Sequence, residues 1–183
     1  MRICVLFGSP RRAGHTARLL DAVLGQYPRA EVDRFDAYDM AVSPCIGCGA
    51  CDKTGACFRR DDMDGLTAAL EAADLILVAY PIYFNSIPAP LKAVIDRMQP
   101  RFTQTYGRGR RVEKRKKIYF LITAGSAVAE AETAANLLTL KFVANLWGAR
   151  QMGYRVLANT DQGMPQELEA LAREVAAEIA QPL

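Results

Sequence analysis

Three apolar runs punctuate the chain, residues 3–7, 75–80 and 118–123, the last ending on Thr123, each of strand length. A strand with water on one face alternates in polarity, whereas one covered on both faces does not, so these runs predict strands buried within a parallel sheet. Elsewhere the apolar residues recur at helical spacing. Ala17, Leu19, Leu20, Val23 and Leu24 follow Thr16, a good N-cap, and predict a helix. Met63, Leu66, Leu70 and Ala73 predict a second, with Asp61 and Asp62 at its positive end. Residues 89–98, 129–147 and 165–180 predict three more, the last with Pro165 near its start. Two weaker strand signals remain: residues 31–35 alternate as an edge strand does, and residues 154–158 read as the final strand. A loop covers residues 36–44. Strands alternating with helices imply right-handed crossovers, and therefore a three-layer α/β fold with a five-stranded parallel sheet in the order 2-1-3-4-5 and helices on both faces. In such a fold the ligand sits at the carboxyl ends of the strands.

The first strand runs through a polar loop into the first helix, and that loop carries Ser9, Arg11, Arg12, Gly14, His15 and Thr16. Backbone N–H groups at a helix start, with added hydroxyls and cations, suit an anion such as a phosphate. A nucleoside triphosphatase loop needs four residues between its glycines and then a lysine; here five residues separate Gly8 from Gly14, and His15 stands in the lysine position. The dinucleotide fingerprint needs three glycines, and only two are present. What remains is a monophosphate cradle of the flavodoxin type.

Length and composition narrow the class. The chain of 183 residues fits one domain, 1–183, large enough to bury a core without disulfides. Apolar residues at 51% and charged residues at 23% exclude a disordered or fibrous chain. With no apolar run long enough for a membrane span and no signal-peptide pattern, a cytoplasmic protein without membrane contact is expected. The net charge of +3 is local: residues 101–117 hold eight basic residues and one acid, Glu113, so the remainder is net negative. With only Phe102 and Tyr106 as interleaved aromatics, this segment lacks the stacking platform of a nucleic-acid site. It reads as a solvated loop, or as a patch that steers an acidic electron carrier or attracts the phosphates of NADPH.

Two further stretches carry chemistry. After the second buried strand come Pro81, Ile82, Tyr83, Phe84, Asn85 and Ser86, a rigid aromatic loop suited to a flat heterocycle; after the third come Thr123 and Gly125, where backbone donors can approach a ring edge. The other is a thirteen-residue run holding Cys45, Cys48, Cys51 and Cys57, four of the five cysteines, inside a loop at residues 44–60. Such density in a cytoplasmic protein favours metal or redox chemistry over structural disulfides. The residues leave three readings open: one iron-sulfur centre, a zinc site (although zinc ligands normally come as two separated pairs), or empty thiols and an adventitious disulfide. Cys4, inside the first strand, reads as a small buried hydrophobe.

These motifs resemble the NADPH-dependent FMN reductase and iron-sulfur flavoprotein family. The resemblance lies in Gly8, Ser9, Pro10, Arg11, Gly14 and Thr16 before a helix, in Pro81, Tyr83, Pro88, Leu91, Lys92, Asp96 and Arg97 at the family spacing, and in the compact cysteine run. His15 departs from the usual Asn. The resemblance implies that Ser9, Arg11, Gly14, His15, Thr16, Pro81, Ile82, Tyr83, Phe84, Asn85, Ser86, Thr123 and Gly125 hold FMN, and that Cys45, Cys48, Cys51 and Cys57 ligate a [4Fe-4S] cluster. It further implies a flavin-dependent oxidoreductase that moves electrons between a one-electron carrier such as ferredoxin and a two-electron acceptor. An NAD(P)H-dependent FMN or quinone reductase without a cluster, and a zinc-stabilised interaction module, are the alternatives. No side chain is expected to act as a catalytic acid or base, NAD(P)H is an alternative donor, and a homo-oligomer, dimer or tetramer, is expected.

Overall fold

The computed structural model describes residues 1–110 and 115–182. Five parallel strands, β1 (Arg2–Phe7), β2 (Glu31–Asp36), β3 (Leu75–Pro81), β4 (Lys116–Thr123) and β5 (Ala149–Leu157), form one sheet in the order β2-β1-β3-β4-β5. This is the expected flavodoxin-like order. Ile3 to Phe7 are fully buried, as an all-apolar strand between two neighbours must be.

Helices cover both faces. Ile3, Val5 and Phe7 pack under α1 (His15–Leu24) and α7 (Leu168–Ala180), while Cys4 and Leu6 face the layer built by α3 (Met63–Ala72), α4 (Ala89–Asp96) and α6 (Glu130–Leu146). The period of two along β1 thus serves two separate cores. Burial pushes the Cys4 thiol up to about 12, so it stays protonated and packs as a hydrophobe.

The structure corrects several sequence expectations. Helix α1 starts at His15 with Gly14 as its N-cap, not at Thr16, because the buried Thr16 hydroxyl lies 2.7 Å from that of Thr123 and makes no cap. Helix α7 begins at Leu168 rather than Pro165, and β5 is longer than residues 154–158. Two short helices, α2 (Ala50–Thr54) and α5 (Gln99–Phe102), were not foreseen, nor was the single π-helical turn Thr103–Gly107. That turn makes the start of the basic segment helical, not a loop. Arg111, Glu113 and Lys114 of that segment lie outside the described residues.

Candidate functional site

Ten of the thirteen residues expected to hold a cofactor line one cleft at the carboxyl edge of the sheet: Ser9, Arg11, Gly14, His15 and Thr16 after β1, Pro81, Ile82 and Tyr83 after β3, and Thr123 and Gly125 after β4. The bond between the Thr16 and Thr123 hydroxyls ties the β1 and β4 loops together beneath it. Arg11 N–H donates to Ser9 Oγ at 3.3 Å, folding the loop back over the buried Ser9. The first turn of α1 carries no acidic side chain, so its exposed N–H groups keep their positive potential for a ligand. His15 Nδ1 is buried with no partner, an orphan that a hydrogen-bonding ligand in the cleft would satisfy. Arg12 points elsewhere and pairs with Asp39.

The other three expected residues, Phe84, Asn85 and Ser86, stand at the tip of the aromatic loop and do not line the cleft. Tyr83 and Ser86 exchange N–H to carbonyl bonds of 3.0 Å, closing a two-residue turn in which Phe84 and Asn85 take φ of 46° and 60°. Two successive left-handed residues make a type I′ turn, a conformation that Asn accepts and Phe resists. Its product is a Phe84 ring standing wholly in solvent. The turn is held from below by a residue that the sequence reading missed: buried Asn136 of α6 donates to Asn85 O at 3.0 Å and accepts from Tyr80 OH at 3.2 Å. Burial raises the Tyr80 phenol above its ordinary value and keeps it a donor.

A fourth loop, after β5, also joins the cleft. Thr160 and Asp161 donate their N–H groups to Ala124 O and Gly125 O at 3.0 Å each, and the Asp161 carboxylate crosses Gly125 so closely that a Cβ there would lie 2.6 Å from its Oδ2. A side chain at Gly125 would therefore have to push the exposed Asp161 carboxylate aside. Asp161 adds a negative charge opposite the cationic β1 loop, and no spacing signal in the sequence pointed to it.

Cys45, Cys48, Cys51 and Cys57 line a second cavity of about 230 Å³, whose wall includes Arg97 and Pro100. Cys51 is buried on α2, Cys57 is half-buried, and Cys45 and Cys48 are exposed. Gly49 and Gly55 cap α2 with φ of 71° and 79°, left-handed turns that let so short a helix start and stop within the loop. Among the described residues no group of three or more His, Cys, Asp or Glu converges tightly enough for a single metal ion. The four sulfurs border a space instead of meeting at a point.

The π-helical turn braces this loop. Thr103 Oγ1 donates to Asp52 Oδ1 at 2.7 Å, Gln104 Nε2 to Gly55 O at 2.8 Å, and Arg108 to the Asp52 and Lys53 carbonyls at 2.9 Å. Arg108 thus caps the negative end of α2. Arg101 pairs with Glu71, Arg110 donates to Gln104 Oε1, and Lys116 and Lys117 donate to the carbonyls of Leu70, Ile179 and Gln181. These described basic residues of the segment are engaged with the protein itself, which weakens the solvated-loop and steering readings for them.

Comparison with known proteins identifies the family and the fold. The family model for NADPH-dependent FMN reductase matches residues 1–163. An iron-sulfur flavoprotein of Archaeoglobus fulgidus is 32% identical over 158 residues, covering 85% of this chain and 68% of that protein. One of Methanosarcina thermophila is 37% identical over 53% of this chain and 52% of its own length, so the match spans about half of that relative. Among solved structures, an NAD(P)H:quinone oxidoreductase from Methanothermobacter marburgensis superposes with a TM-score of 0.73 at 18% identity, over 100% of this chain and 98% of the other. An FMN-dependent NADH-azoreductase from Bacillus anthracis in complex with FMN gives 0.69 at 14% identity, over 99% and 100%. At such identities the last two establish the fold.

Proposed function

As the chain belongs to the NADPH-dependent FMN reductase family of flavin-dependent oxidoreductases, we propose that it holds FMN in the carboxyl-edge cleft and a [4Fe-4S] cluster at the cysteine cavity. Its role on this reading is to pass electrons between a one-electron carrier of the ferredoxin class and a two-electron acceptor. The observation that carries the reading is the convergence of ten motif residues from three loops on one cleft, beside a separate cavity lined by all four clustered cysteines.

The donor set fits both groups. Ser9, Arg11, Thr16 and the N–H groups of α1 supply hydrogen bonds and charge for a monophosphate, and the orphaned His15 Nδ1 gains a partner from it. Pro81, Ile82 and Tyr83 form an apolar and aromatic wall for a flat ring, and Thr123 and Gly125 face its edge. On this reading Phe84, Asn85 and Ser86 reach the flavin from the tip of the turn, outside the cleft wall. Bound FMN supplies the conversion between one-electron and two-electron steps, so no protein acid or base is assigned. Cys45, Cys48, Cys51 and Cys57 would supply the four thiolates of a cluster.

An NAD(P)H-dependent FMN or quinone reductase that lacks a cluster is the second reading, supported by the match to the NADPH-dependent FMN reductase family. A zinc-stabilised module fits least well, given four sulfurs spread around a cavity. A homo-oligomer, and a cytoplasmic place for it without nucleic-acid partners, belong to the proposal; among the described residues no helix is long and apolar enough to cross a membrane.

Protein prepared without oxygen decides between these readings. It is expected to release FMN on denaturation and to contain about four irons and four acid-labile sulfides per chain. FMN with neither metal, together with rapid NAD(P)H oxidation, would establish the plain reductase; zinc without flavin would favour the module.

A further inference from the structure

We propose that Arg97 tunes the electron affinity of the cysteine site, its buried charge favouring the more negative, reduced state; the proposal rests on the cluster reading of that site. Arg97 follows α4, and its side chain is only 2% exposed. It lines the same cavity as the four cysteines. Two of its nitrogens are engaged by oxygens: one donates to Asp61 Oδ2 at 2.6 Å and Ser43 O at 2.9 Å, the other to Asp61 Oδ1 at 3.2 Å. Its Nε is buried with no partner, which leaves donor capacity unspent at the cavity wall.

Burial pulls the Arg97 guanidinium down, and the hydrogen bond and charge of Asp61, with a lesser contribution from neighbouring Cys57, more than offset it, so the guanidinium stays charged. Of the other charges lining the cavity, Arg59 lies over the Phe58 ring, 5.5 Å from its centroid, and is partly exposed; Asp52 is exposed and bonded to Thr103. Exposure screens both, so Arg97 is the unscreened charge on that wall. Gaining one electron adds one negative charge to four thiolates and their contents. A cation held in a poorly polarisable wall stabilises that added charge more than it does the oxidised state. Asp61, which pairs with Arg97 but does not line the cavity, offsets part of the effect. Arg97 and Asp61 are therefore positioning residues with opposite signs.

The test is a potentiometric titration of anaerobic, cluster-loaded protein with dithionite as the electron source, following the cysteine site by electron paramagnetic resonance and the flavin by absorbance. Arg97→Gln is expected to lower the midpoint of the cysteine site, Asp61→Asn to raise it, and Arg97→Lys to stay near the wild type, with the flavin midpoint unmoved in all three. A purely structural pair predicts shifts of one sign, or a flavin that moves equally; either result overturns the proposal. If Arg97→Gln assembles no cluster, Asp61→Asn decides: a rise supports the assignment, and an unchanged or lower value rejects it. Loss of the cluster in both marks a supporting pillar and rejects tuning. Wild-type protein without iron and sulfide fails at the earlier step, before any substitution, and takes the inference down with the cluster reading.

Discussion

At the scale of single residues, the informative groups are polar ones that the fold has buried. Asp61 is partly desolvated, which raises its pKa, but the hydrogen bond from Arg97, the Met63 N–H and the Arg97 charge prevail and hold the carboxyl below its ordinary value. A carboxylate with a depressed folded value contributes stability that is present above the unfolded value, about 3.9, and is lost as the pH falls through the lower folded value. Thermal midpoints of wild type and Asp61→Asn should therefore differ most at neutral pH and converge once the pH has fallen through the lowered folded value; curves that stay parallel through the acid range would mean that the pair carries no such linkage. The sequence reading placed Asp61 only as a favourable charge at the start of α3, because nothing local in residues 61–63 announces a partner at Arg97. Asn136 and Asp161 escaped for the same reason. Each is ordinary in its own segment and acquires meaning through contacts with residues far away in sequence.

At the scale of elements, legibility followed burial. The strands that read as continuous apolar runs were found nearly to the residue, since both faces of a central parallel strand demand the same composition. Strand β5 was underestimated because, as the edge partner of β4, it is half-exposed, carries Arg150 and Gln151, and slips register between Ile118 and Tyr119 of its neighbour. Helix α2 and the π turn were invisible because helices of five residues owe their existence to packing and capping, here by Arg108, Gln104 and Thr103, rather than to propensity. The aromatic turn shows the reverse case, a local preference overruled. Phe at φ 46° costs roughly 1–2 kcal/mol, a strain characteristic of functional sites. Phe84→Asn relieves it, so the variant is expected to be more stable by about 1 kcal/mol and to bind FMN more weakly. Calorimetry and fluorescence titration measure the two quantities, and an unchanged affinity would remove Phe84 from the flavin site.

For the whole molecule, the strand order and the cleft at its carboxyl edge were legible because alternation of strand and helix leaves few topologies open. How the molecule meets others was not legible, since it depends on which apolar residues remain outside. Phe102, Tyr106 and Phe142 form one exposed cluster, with Tyr106 and Phe142 stacked, ring centroids 5.6 Å apart at 9°, Phe102 tilted against both, and Leu138 one turn from Phe142 on α6, 72% exposed. While Leu140, Val143 and Ala144 of α6 are buried in the core, Leu138 and Phe142 stay outside it. Arg101, Arg108 and Arg110 of the adjoining segment are already bonded to Glu71, to α2 carbonyls and to Gln104, so among the described residues the surface offers apolar rings beside cations that are already engaged. That character suits a second copy of the chain better than an acidic carrier, with α6, about 25 Å long by its helical rise, as the contact. Sedimentation is therefore expected to give a dimer or larger assembly, and Phe142→Glu a monomer, because a carboxylate in a stacked aromatic contact must be desolvated without a partner. FMN should remain bound in that monomer if the cleft is complete within one chain. A wild-type monomer at micromolar concentration would assign the aromatic cluster to a different partner, and simultaneous loss of FMN and of the dimer would mean that the neighbouring copy closes the cleft.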